Sequence, residues 1–72
     1  MVKLPSLTPK RVIKALTGDG FVLARQKGSH RAYVKGDLIV IIPYHNKDLK
    51  MGTLRNIIEQ AGYTTDEFIK LL

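Results

Sequence analysis

The sequence predicts an α+β fold in which two helices cover one face of a three-stranded antiparallel sheet and leave the other face in water. Two observations lead to this prediction. Apolar residues recur at helical spacing towards both ends of the chain, whereas the middle holds three short, largely apolar segments separated by glycine-containing turns. Because 72 residues suffice for one hydrophobic core and no linker divides them, we expect residues 1–72 to form a single domain.

The first helix is predicted to begin at Pro9. Thr8 can cap its N-terminus, and proline is preorganised for the first helical position. The apolar face of this helix would consist of Val12, Ile13 and Leu16. The glycines within residues 18–20 end the helix and turn the chain towards a strand.

Three strands are predicted next, at residues 21–26, 29–35 and 38–42. Gly36 and Asp37 match a two-residue hairpin turn that requires glycine in its first position. Residues 38–42 are apolar throughout, so we expect this strand to be buried on both faces or nearly so. Pro43 then ends it, because proline has no N–H to donate to a neighbouring strand.

A polar loop over residues 44–50 leads to a second helix. Its apolar positions share one face: Met51, Leu54, Ile57, Ile58 and Ala61. Gly62 is placed as its C-cap, and Thr64 with Glu67 predicts a capping box that begins a short C-terminal helix. This α-β-β-β-α order resembles the double-stranded-RNA-binding fold, although a fold alone does not establish a function.

The distribution of charge predicts a polyanionic partner. Twelve lysines and arginines oppose six acidic residues, which gives a net charge of +6. No acidic residue lies between Asp19 and Asp37, and that stretch contains four cations: Arg25, Lys27, Arg31 and Lys35. A field of one sign attracts a polyanion such as RNA and accelerates its capture.

The composition also bears on the compartment. The chain has no cysteine, which excludes disulfides and thiolate metal sites and is consistent with a reducing environment. No signal peptide is recognisable, and the longest apolar run, residues 38–42, is far too short to span a bilayer. We therefore expect a soluble cytoplasmic protein without membrane contact.

The chemistry predicted from the sequence uses neither a metal nor a cofactor. The six carboxylates form no spacing that aims them at a common point, and there is no G-x-S-x-G turn or phosphate-binding glycine loop. Two histidines remain, His30 and His45. Histidine can give or take a proton near neutral pH, so these are the candidate acid–base groups.

His30 is the stronger candidate. RNA carries its own nucleophile, the 2′-hydroxyl, so a metal-free ribonuclease needs a base, cations for the phosphate and an acid for the leaving oxygen. Groups able to hold a phosphate surround it in sequence: Arg25, Lys27, Gly28 and Arg31. Strand alternation groups His30 with Ala32 and Val34, which leaves open whether His30 is catalytic or a structural residue at the edge of the core.

Residues 28–33, G-S-H-R-A-Y, resemble the G-S-H-x-x-[YF] signature of the HicA toxin family. Residues 43–47, 52–58 and 61–62 are similar to the rest of that family's pattern, in order and with its spacing. The resemblance implies the toxin of a type II toxin–antitoxin system: a metal-independent mRNA interferase with a double-stranded-RNA-binding-like fold. It also implies a HicB-type antitoxin that covers the site. His30 matches the catalytic histidine, and His45 matches a frequent histidine of unassigned role.

The sequence therefore assigns catalysis to His30. It assigns binding of mRNA to Arg25, Lys27, Gly28, Ser29, Arg31 and Lys47, the last of these near the start of the second helix. Two alternatives stay open. The protein could bind RNA without cleaving it, with His30 a bystander, or its positive charge could serve only an acidic protein partner.

Overall fold

A computed structural model describes residues 3–72, so the first two residues of the predicted domain lie outside the described part. Its elements, in order, are α1 (Pro9–Gly18), β1 (Val22–Lys27), β2 (His30–Lys35), β3 (Leu38–Pro43), α2 (Met51–Gln60) and α3 (Thr65–Ile69). The predicted fold class and element order are confirmed. None of the helices within residues 3–72 has the length and apolar composition that a membrane span requires.

Local signals account for the ends of the helices. The Thr8 hydroxyl accepts a hydrogen bond from the Arg11 N–H, and Pro9 occupies the first helical position, as predicted. The predicted capping box of α3 is also present, since Thr64 and Glu67 each accept a hydrogen bond from the other's backbone N–H. These contacts determine where α1 and α3 begin, and they involve only residues that are close in the sequence.

The sheet is an antiparallel meander in the order β1-β2-β3. Two-residue turns join the strands, and each begins with a glycine, Gly28 at φ +59° and Gly36 at φ +57°. A backbone in this left-handed region is strained for any residue with a side chain, which explains glycine at both positions. The first turn brings His30 opposite Lys27, and β3 brings Pro43 opposite the other side of His30.

Both long helices pack on the same face of the sheet. Tyr33, Val40 and Ile42 are the strand residues that join the hydrophobic core on this face. The helices and their flanking turns supply most of the remainder, including Val12, Leu16, Phe21, Leu54, Ile57 and Phe68. Full burial of one such side chain contributes about 1.5–3 kcal/mol to stability. The predicted two-layer arrangement is thus confirmed.

The predicted burial of β3 on both faces is wrong. Ile39 is 60% exposed and Ile41 is 43% exposed, whereas Val40 and Ile42, which alternate with them, are fully buried. The reason is that nothing within residues 3–72 forms a second layer over the sheet face opposite the helices, so alternate side chains of this apolar strand point into water. We call this uncovered side of the sheet the open face; it also carries Val22 and Val34, which lie in register with Ile39.

Candidate functional site

His30 lies on the open face, beside a shallow concavity at the end of the β1–β2 hairpin. Its side chain is exposed. Strand alternation directs His30 and Tyr33 to opposite faces of the sheet, and Tyr33 is the one that is buried in the core. The concavity is lined by Arg25, Lys27, Gly28, Ser29, His30, Ala32 and Ile41. The structure thus places His30 in contact with water at the edge of the sheet and not within the core.

A β-bulge decides which cations face His30. Alternation from Val22, on the open face, would direct Ala24 and Gln26 to that face and Arg25 away from it. The register shifts between Leu23 and Arg25, however, so that Arg25 pairs with Ala32 and Lys27 pairs with His30. The extra residue reverses the alternation, and both cations therefore line the concavity that contains His30.

These two cations are available to a ligand. Within residues 3–72 one ion pair is formed, between Lys35 Nζ and Asp19 Oδ2 at 3.1 Å, and it lies at the other end of the hairpin. Arg25 and Lys27 are exposed and have no carboxylate partner in this part of the chain. Guanidinium and ammonium groups beside a histidine can hold a phosphate and stabilise charge that develops on it.

The turn at the top of the hairpin is fastened to both neighbouring segments. The Gly28 carbonyl accepts a hydrogen bond from Gln26 Nε2 at 3.1 Å. The Ser29 carbonyl accepts one from the Tyr44 N–H at 2.6 Å, which extends the β2–β3 ladder beyond β3. Ser29 is therefore held by a backbone hydrogen bond from the segment that follows β3. Gly28 is held by a side chain of β1, that of Gln26.

Two of the predicted RNA-binding residues lie away from this concavity. Arg31 points to the face opposite His30, where its Nε donates to Gln26 Oε1 at 3.1 Å and its guanidinium carbon lies 3.8 Å from the centre of the Tyr44 ring. Lys47 lies in the loop before α2, in a second concavity that also contains His45. The Lys47 N–H donates to His45 Nδ1 at 3.2 Å, an exposed hydrogen bond within this loop.

The structure adds three residues that the sequence did not single out for the site. Ala32 and Ile41 form the apolar part of the concavity, and they are direct partners in the β2–β3 register. The register follows from the tight turn at Gly36, so this pair was accessible to sequence reasoning. The role of Gln26 was not accessible in this way, because the bulge in β1 determines which face of the sheet the Gln26 side chain occupies.

No metal centre is built into the described residues. Across residues 3–72, no group of three or more histidine, cysteine, aspartate or glutamate side chains comes together as potential ligands. The concavity itself brings together one imidazole, two cations and the exposed backbone of a glycine turn.

Comparison with known proteins bears on the family. A family model described as HicA toxin of bacterial toxin–antitoxin matches residues 9–63, which is more than half of the chain. The matched segment runs from the start of α1 through the site turn to Tyr63, after α2. No curated protein matches the chain.

Proposed function

The chain belongs to the HicA family of toxins of bacterial toxin–antitoxin systems, and we propose that it cleaves mRNA without a metal, with His30 as its catalytic base. One observation carries the proposal: the exposed imidazole of His30 shares a concavity with Arg25 and Lys27, which have no carboxylate partner in residues 3–72. An imidazole without cations would bind a phosphodiester poorly, and cations without an imidazole would bind RNA without cleaving it.

The proposed reaction uses the nucleophile that RNA contains. His30 accepts the proton of a 2′-hydroxyl while its oxygen forms a bond to the adjacent phosphorus and the bond from phosphorus to the 5′-oxygen breaks. The 5′-oxygen leaves with a proton taken from water or from a protonated side chain. The products are a 2′,3′-cyclic phosphate and a 5′-hydroxyl, and Arg25 and Lys27 stabilise the extra negative charge on the phosphoryl oxygens.

The shape of the site favours a polymer. The concavity is shallow and lies at the end of an exposed hairpin, so an extended strand can enter and leave along the sheet. Gly28 has no side chain, and a Cβ built there meets no atom within 4 Å, so a phosphate backbone can approach this turn closely. A small metabolite would be poorly enclosed here.

The open face also supports the expected antitoxin. Three aliphatic side chains are exposed on its two outer strands, Val22 on β1 and Ile39 and Ile41 on β3, and Val34 of β2 lies between Val22 and Ile39. A contiguous apolar surface is typical of a protein interface, and Ile41 belongs to the His30 concavity as well. A HicB-type antitoxin seated on these side chains would cover His30 and thereby block cleavage.

The direct test is incubation of the purified, antitoxin-free protein with RNA of mixed sequence in excess EDTA. We expect the wild type to produce new RNA ends, and His30→Ala to produce none while retaining the fold, because His30 is exposed. His45→Asn is the matched control, since an asparagine side chain can accept the Lys47 N–H that His45 accepts now. Cleavage by His30→Ala, or loss of wild-type cleavage in EDTA, contradicts the proposal.

A non-catalytic RNA-binding module is the second candidate, because Arg25 and Lys27, which form no ion pair within residues 3–72, would suffice for it. It predicts salt-sensitive binding by the wild type with the RNA left intact. One experiment therefore distinguishes cleavage from binding alone: RNA binding is measured first, and the RNA is then analysed for new ends.

A further inference from the structure

We propose that Arg31 is a positioning residue, which holds the Gly28-Ser29 turn and therefore the His30 imidazole from the opposite face of the sheet. This inference rests on the proposed function of His30. It also changes the role expected for Arg31, which the sequence assigned to phosphate binding. The proposal depends on three side chains, Gln26, Arg31 and Tyr44, which we call the turn clamp.

The first half of the turn clamp runs through Gln26. Arg31 Nε donates to Gln26 Oε1 at 3.1 Å, and Gln26 Nε2 donates to the Gly28 carbonyl at 3.1 Å. Gln26 and Arg31 are direct partners in the register, both on the helix-covered side of the sheet. Arg31 thus fixes the orientation of the Gln26 amide so that its donor faces the turn.

The second half runs through Tyr44. The Arg31 guanidinium carbon lies 3.8 Å from the centre of the Tyr44 ring, a close cation–π contact. The backbone N–H of the same tyrosine donates to the Ser29 carbonyl at 2.6 Å. Arg31 therefore contacts the side chains of both residues that hold the turn, Gln26 and Tyr44, and His30 follows that turn immediately.

We expect these contacts to affect the placement of the His30 imidazole more than the free energy of unfolding. The hydrogen bonds of Gln26 and Arg31 are exposed, and exposed polar contacts contribute little to the free energy of unfolding. The rate of a proton transfer, in contrast, depends steeply on placement, since a shift of about 1 Å can cost about 100-fold. Loss of the turn clamp is expected to reduce the rate while the protein remains folded.

The test separates positioning from phosphate binding. RNA binding is measured against salt concentration in the His30→Ala background, and the single-turnover cleavage rate is measured in the otherwise wild-type background. We expect Arg31→Ala and Arg31→Lys to lower the cleavage rate by about tenfold or more. Neither is expected to change the slope of log affinity against log salt, whereas Arg25→Ala lowers that slope by about one.

Two further variants control for the contacts. Gln26→Ala is expected to lower the rate as Arg31→Ala does, since it removes the donor to Gly28. Tyr44→Phe is expected to retain the wild-type rate, because it keeps the aromatic ring and the backbone N–H. A reduced salt slope in Arg31→Ala, or a wild-type cleavage rate in that variant, overturns the proposal.

Hydrogen exchange of the backbone amides of residues 28–30 tests the turn clamp without any cleavage. Exchange at these amides is expected to accelerate in Arg31→Ala and to stay at the wild-type rate in Tyr44→Phe. If the wild type fails to cleave RNA, the proposed function fails and this measurement still decides whether Arg31 holds the turn. Unchanged exchange in Arg31→Ala overturns the positioning role.

Discussion

The hydroxyl of Tyr63 donates a hydrogen bond to Asp19 Oδ2 at 2.5 Å and so joins two turns that lie 44 residues apart in the chain. The same oxygen accepts a hydrogen bond from Lys35 Nζ at 3.1 Å. Asp19 follows α1, Lys35 ends β2 and Tyr63 precedes α3. One carboxylate therefore fastens the helical layer to the end of the sheet that is farther from His30.

Tyr63→Phe removes the hydroxyl of this contact and keeps the ring, which packs against Phe21 and Phe68. We expect the free energy of unfolding to fall by about 1 kcal/mol, the usual net contribution of one hydrogen bond. Urea denaturation measures the change. Tyr33→Phe is the matched control, since the Tyr33 hydroxyl makes no side-chain hydrogen bond within residues 3–72; an equal loss in both variants would contradict this role for Tyr63.

The same carboxylate makes stability depend on acid. The Tyr63 hydroxyl, and after it Lys35, hold the pKa of Asp19 below its usual value of 3.8. Backbone and side-chain hydrogen bonds from Thr64 likewise lower the pKa of Glu67. A carboxyl whose pKa is lower in the folded protein stabilises the fold above its ordinary pKa, and this contribution is lost as the pH falls through the lower, folded value.

We therefore expect the free energy of unfolding to decrease as the pH falls below about 4, and Asp19→Asn to reduce the size of that decrease. Thermal unfolding at a series of pH values provides the measurement. Asp37→Asn is the matched control, because it removes the same negative charge at neutral pH, but from an exposed turn. An acid profile of Asp19→Asn that runs parallel to the wild type would show that Asp19 does not contribute.

The glycine of the site turn is expected to be intolerant of alanine. Gly28 has φ +59°, and a side chain in this conformation costs about 1–2 kcal/mol even where nothing obstructs the Cβ. Gly52→Ala is the matched control, because Gly52 lies inside α2 with open space around its Cβ, and alanine there is expected to stabilise by about 0.4–1 kcal/mol. Opposite signs of the two changes in urea denaturation check the prediction.

Ile39→Ser is expected to lower the affinity for the antitoxin without slowing RNA cleavage. Ile39 is on the open face but does not line the His30 concavity, and at 60% exposure it contributes little to the core. Binding of the cognate antitoxin is measured by calorimetry, and cleavage by the appearance of new RNA ends. Met51→Ser alters another exposed apolar side chain, on α2, and is expected to leave antitoxin affinity unchanged. Equal affinity of the wild type and Ile39→Ser would place the antitoxin elsewhere.

The sequence alone determined the order of the elements, and the ends of the three strands to within one residue. Thr8 before Pro9, the turn at Gly36, and the pair Thr64 and Glu67 act on backbone within a few residues, so their effect does not depend on distant parts of the chain. The prediction placed the turn of the β1–β2 hairpin one residue early, at residues 27–28, where the structure has Gly28-Ser29 followed by His30.

Only the tertiary structure decided which side chains meet at that turn. Alternation fixes which residues of a strand share a face, but not which face the helices cover, so the exposure of Ile39 and of His30 followed from the layers. The bulge before Arg25 depends on pairing with β2, and it exchanges the faces of Arg25 and Gln26. The bulge thereby brought Arg25 to the side of His30. Arg31 lies on the opposite side because it directly follows His30 in β2, which strand alternation alone predicts.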